Sequence, residues 1–169
     1  MRLVVIRRAM GTSRACDPHN APLIFHWYKA EHGKGLAKFF TETLQLNGVH
    51  DEHLLALARQ ELLQRLREYT DATLAEVRDI RRIERNPSYE LFEIRLKMRG
   101  VGLVRLYFIE PEILGAVGVG LHLHIKSTAH ASDRAVKDMQ DVEIDIAARR
   151  CAQGKFTNWD FPVDGLGKQ

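Results

Sequence analysis

Cysteine is scarce: Cys16 and Cys151 are the only two in 169 residues, too few for a disulfide framework or a four-cysteine metal site. That scarcity suits a reducing compartment, so a cytoplasmic location is expected. Long apolar runs are missing as well. Residues 3–6 and the glycine-interrupted 113–121 fall well short of the roughly 20 residues a bilayer span needs, and no membrane partner is expected. A signal-peptide core is absent, because Arg7 and Arg8 come straight after Ile6. There is no internal repeat and no low-complexity tract. What remains is an apolar fraction of 45% with 28% charged residues. That balance excludes disorder as the main state and supports one packed domain.

Net charge is only +3, weak grounds for a polyanionic partner. Its distribution says more. Between positions 78 and 105, Arg78, Arg81, Arg82, Arg85, Arg95, Lys97, Arg99 and Arg105 face four acids, Asp79, Glu84, Glu90 and Glu93, leaving that stretch at +4. A basic zone on a neutral background suits a site that holds phosphate. A solvated charged face is the alternative.

Periodicity organises the rest. Residues 1–21 start strand-like and then carry Gly, Ser, Asn and Pro, which predicts a loosely attached extension before a domain over 22–155; 156–169 read as a tail. A strand is predicted over 22–28, with Leu23, Phe25 and Trp27 on one face and His26 on the other. Leu36, Phe39, Phe40 and Leu44 predict a helix over 36–46, stopped at Asn47-Gly48. Leu54, Leu55, Ala58, Leu62, Leu66 and Tyr69 stripe a longer helix over 51–69. Residues 74–83 fit either more helix or a short extended element, and Asn86-Pro87-Ser88 predicts a turn. The period then drops to 2 over 91–97, 103–109 and 117–126. Ser132 and Asp133 open a last helix, with Val136, Met139, Ile146 and Ala147 on its apolar face and Gly154 at its end. The expected fold is α+β: an antiparallel sheet of about four strands, an N-terminal helical hairpin on its apolar face, and a C-terminal helix.

Stacking the three strands pools Arg95, Lys97, Arg105, Tyr107, His122, His124 and Lys126 on the opposite, wet face, with Glu93 as the main acid. Two guanidiniums can fork onto phosphate and a lysine adds a point charge. Tyr107 can stack on a base, and histidine transfers protons near neutral pH. The plain alternative is that a solvent-facing sheet merely needs polar residues. His122 and His124, with His130 nearby, also allow a metal reading. No acid or cysteine is placed to complete it, so no metal is expected.

Leu91-Phe92-Glu93-Ile94-Arg95, Arg105-Leu106-Tyr107-Phe108, and the run from Leu121-His122 through Lys126 to Thr128 follow in order. Together with Glu143-Ile144-Asp145-Ile146-Ala147, they resemble the RelE/HigB toxin superfamily, most of all its phage-derived branch. The resemblance implies a RelE-like fold and the toxin of a toxin–antitoxin pair. Its activity would be that of an mRNA endoribonuclease (mRNA interferase), ribosome-associated, inhibiting translation. It implies cofactor-free, metal-independent attack of a ribose 2′-oxygen on the phosphodiester. Arg95 and Arg105 would hold the phosphate, Lys126 the phosphate or 2′-oxygen, and Tyr107 and His122 would stack or move protons. Lys97, Arg99, His124 and Thr128 would bind RNA. The implied partners are mRNA, the ribosome and a cognate antitoxin, of helix-turn-helix type. Ser127 stands where the family has a second lysine, and His124 where it has an aromatic. The alternative is therefore a catalytically weak or inactive RNA- or protein-binding member of the same fold.

Overall fold

The computed structural model describes residues 11–76, 78–85, 88–126 and 132–162. Among these residues five strands form one sheet: β1 (Ile24–Trp27), β2 (Ile80–Ile83), β3 (Leu91–Met98), β4 (Gly102–Ile109) and β5 (Val117–Lys126), in the order β1-β5-β4-β3-β2. β2, β3, β4 and β5 pair antiparallel, and β1 joins β5 in parallel. The fold is α+β, but the sheet is mixed and five-stranded where an antiparallel one of about four was expected. The open reading of residues 74–83 resolves in part as β2, an edge strand. The turn expected at Asn86-Pro87 lies outside the described residues.

Local chemistry sets the helices. α1 (Leu36–Leu46) buries Phe40 and Leu44, and the chain leaves it through Gly48 at φ +87°. Asp51 caps α2 (Glu52–Thr70) by accepting from the Leu54 N–H at 2.9 Å. Leu55, Ala58, Leu62 and Tyr69 form its buried stripe. These helices cover the sheet face made by Phe92, Ile94, Leu96, Val104, Leu106, Phe108 and Leu123, the main core cluster. Each such side chain is worth roughly 1.5–3 kcal/mol before ordering costs. Gly118 lets α2 lie close, because a Cβ there would sit 2.1 Å from the Tyr69 hydroxyl.

The second face is covered too. α3 (Asp133–Gly154), capped by Ser132, lays Ile144, Ala147, Ala148 and Cys151 on Tyr107, Ile109, Val117, Val119 and Leu121. The expected wet face is therefore largely roofed, and the molecule has three layers. A β-bulge makes this possible. Tyr107 pairs with His122 but Phe108 pairs with Gly120, leaving Leu121 as an extra residue on β5. Leu121 thus joins the α3 layer while Leu123 joins the α1–α2 layer. The strict alternation expected over 117–126 would have put both under the same helices.

Residues 11–21 were expected to be loosely attached, but they are packed. Ser13 and Ala15 are buried, and Ser13 Oγ donates to buried Glu110 at 2.6 Å, with Tyr69 Oη donating to the same carboxylate. In the expected tail, Trp159 is buried, donating its Nε1–H to the Cys151 carbonyl at 3.0 Å. Gly154 clears the space, since a Cβ there would meet Trp159 at 2.1 Å. Among the described residues no helix is long and apolar enough to cross a membrane.

Candidate functional site

Register turns the polar residues of β3, β4 and β5 into a grid on the α3 side of the sheet. Its three rows are Glu93–Tyr107–His122, Arg95–Arg105–His124 and Lys97–Leu103–Lys126. Neighbours across strands are about 4.8 Å apart. The eight polar residues that the sequence placed together do share one face, but their exposure is graded. α3 roofs the first row, while Lys97 is exposed at the far margin.

Under the roof the charges are paired. Glu93, fully buried, accepts from Arg105 at 2.5 Å and from Arg95 at 2.8 Å. Arg105, expected on the wet face, is only 6% exposed. Its guanidinium is spent on Glu93 because a carboxylate at the sheet centre needs a charge-assisted partner. Tyr107 is fully buried. Burial, helped by the Glu93 charge, pushes its phenol well above the ordinary range. It stays protonated at neutral pH.

His122 is locked by α3. Arg150 donates to its Nδ1 at 2.8 Å, so that nitrogen carries a lone pair and the ring proton sits on Nε2, 2.5 Å from Glu143 Oε2. Both nitrogens are used, and burial holds the imidazole neutral by lowering its pKa. The hydrogen bond from His122 holds the Glu143 carboxyl below its ordinary value. His124 lies nearly parallel to Tyr107, ring centroids 5.6 Å apart. Burial lowers its pKa to about 4, so it too is neutral. As built, the roofed rows form a polar joint between sheet and helix rather than an open set of acids and bases.

The cations outside the roof differ. Arg81 and Arg82 on β2, Lys97 on β3 and Arg99 in the following turn are exposed and make no ion pair among the described residues. Arg78 is tied to Asp79, and Arg85 to Asp141 and Asp145 of α3. Lys126 is half-buried and lines a cleft under the N-terminal half of α3. Thr128, like Ser127 and His130, lies outside the described residues. Among those described, no group of three or more His, Cys, Asp and Glu could hold a metal ion.

Sequence reasoning missed Glu143 and Arg150 as partners of the grid. Their signal was present: Glu143, Ala147 and Arg150 repeat at i, i+4 and i+7, two charges inside an apolar stripe.

A protein-family model described as bZIP Maf transcription factor matches residues 49–99, under a third of the chain. No curated protein and no solved structure matches it. The match corrects the toxin expectation, since the family it points to is not RelE/HigB. With that resemblance go the mRNA endoribonuclease activity and the weakly active alternative. The mRNA, ribosome and antitoxin partners are withdrawn on the same ground. The matched span is α2 followed by β2 and β3. Its heptad-spaced Leu55, Leu62 and Tyr69 are buried against the sheet.

Proposed function

We propose that this protein binds duplex DNA through the basic edge formed by β2 and the end of β3. One observation carries the reading. Arg81, Arg82, Lys97 and Arg99 are exposed and free of acidic partners among the described residues, whereas neighbouring Arg78 and Arg85 are neutralised. All four lie within the span that matches the transcription-factor family. β2 is an edge strand of the sheet, strands are among the elements that read DNA grooves, and arginine is suited both to phosphate and to guanine. The reading uses no paired zipper helices, because the α2 stripe is consumed inside the fold.

The test is fluorescence anisotropy on a labelled duplex over a salt series. Four phosphate contacts should give a log–log slope of about −3.6. Replacing Arg81, Arg82, Lys97 and Arg99 together by Gln should abolish the salt-dependent component without altering the fold. Unchanged affinity in that variant would overturn the reading.

A further inference from the structure

A cleft of about 310 Å³ opens between the end of β5, the first half of α3 and the α1–α2 turn at Asn47. Lys126, on its sheet side, stands two strands across from Lys97 of the basic edge, and none of the four edge cations lines it. Two opposite charges line it, Lys126 from the sheet and Glu143 from the helix. Lys126 makes no ion pair among the described residues, so the two are not joined to each other. Glu143 gives Oε2 to His122, which fixes the carboxylate and leaves Oε1 for another donor. Val136 and Met139, one turn apart on α3, supply an apolar wall, with Met139 46% exposed. His124 stands between the charges along β5, with Nδ1 buried and without a hydrogen-bond partner among the described residues.

An unpaired ammonium and a half-used carboxylate facing one partly apolar space are complementary to a zwitterion. Ligand pockets run from about 300 to 1,000 Å³, so this one is at the small end. It has room for an amino acid. We propose that the cleft binds a free α-amino acid with an apolar side chain, its carboxylate on Lys126, its ammonium on Glu143 and its side chain on Val136 and Met139. His122 and Arg150 act as positioning residues, since they hold Glu143 at the cleft wall through the bonds already described. A peptide end would present only one of the two charges, so the site selects the free molecule.

The experiment is a ¹H–¹⁵N chemical-shift titration of the full chain with L-leucine and L-methionine, alongside two leucine analogues. Leucinamide lacks the carboxylate charge, and 4-methylpentanoate lacks the ammonium. Saturable shifts should centre on His124, Lys126 and Gln140. Each analogue should bind at least about tenfold more weakly, because a charged hydrogen bond is worth about 1.5–3 kcal/mol. Lys126→Gln should weaken leucine about tenfold and bring leucine and leucinamide to similar affinity, with an unchanged melting curve as the control for folding. Glu143→Gln is the less clean variant, because it also alters the His122 bond; the analogues test that charge without mutation. No saturable shift by about 10 mM, leucinamide binding as well as leucine, or an unaffected Lys126→Gln variant would each overturn the proposal. No DNA enters this titration and no variant touches the basic edge, so its failure and a failure of DNA binding are separate results.

Discussion

Arg105 anchors a costly contact, since it faces a carboxylate with no exposure to water. Truncating one partner of a buried ion pair costs about 3–5 kcal/mol, because the other charge is left uncompensated. Arg95 still reaches Glu93, so Arg105→Ala should fall at the lower end, about 3 kcal/mol by urea unfolding. A loss below about 1 kcal/mol would mean that water enters the pair. The two histidines set the acid limit. An ordinary histidine titrates at 6.5, and His124 in the fold at about 4. Between those values the unfolded chain holds more protons, so stability falls as pH falls. His122, also lowered, acts in the same direction, and Glu143 extends the loss further into acid. The groups facing His124 are Glu143, His122, Arg105 and Glu93, and the arginine keeps its charge throughout. Thermal melts should be level above neutrality and drop from about pH 6.5 toward 4, by about 1–3 kcal/mol. His124→Gln should flatten part of that drop. At this scale the sequence was informative about identity and placement: Arg95, Arg105, Tyr107, His122 and His124 do share a face. It could not reveal their burial, which depends on Glu143 and Arg150 arriving from a helix far along the chain.

Among the elements, α2 separates two uses of a heptad-spaced stripe. Leu55, Leu62 and Tyr69 could line a helix pair, but they are buried on the sheet of the same chain. Leu62→Ala should therefore unfold the protein more easily, by about 3 kcal/mol, since leucine truncations in cores cost about 2–5 kcal/mol. Sedimentation should show the same molecular mass before and after. A change of mass with unchanged unfolding would instead place Leu62 between chains. α1, α2 and the strands β3 to β5 were legible because helical and strand periods are local. The parallel seat of β1 beside β5 was not, because residues 24–27 meet 117–120 only after the intervening chain has folded. α3 showed its apolar stripe but not its destination. A sheet face carrying Arg, Tyr and His reads as wet until α3 is seen to bring Glu143 and Arg150 onto it.

At the scale of the whole molecule, helices on both sides divide the charge into an enclosed part and an outer part. Glu93, Arg95 and Arg105 are held inside the sandwich or near it, while Arg81, Arg82, Lys97 and Arg99 line its edge. Salt screens exposed charges over about 8 Å at physiological strength and buried pairs much less. Raising sodium chloride from about 50 to 500 mM should therefore abolish DNA binding while leaving the melting temperature nearly constant. A melting temperature that falls in step with binding would show that the edge cations also hold the fold. Leu121 gives the sandwich a further property, which resembles a reading frame. Side chains on a strand alternate with a period of two, and one extra residue advances the phase. Before the bulge Val117 and Val119 point toward α3; after it His122, His124 and Lys126 take over that direction. Removing that single residue would restore one unbroken alternation, with Tyr107 still opposite His122 and Phe108 opposite Gly120, so both imidazoles and the lysine would keep facing α3. The frame would survive the loss, and only the leucine's own place in the α3 layer would stand empty.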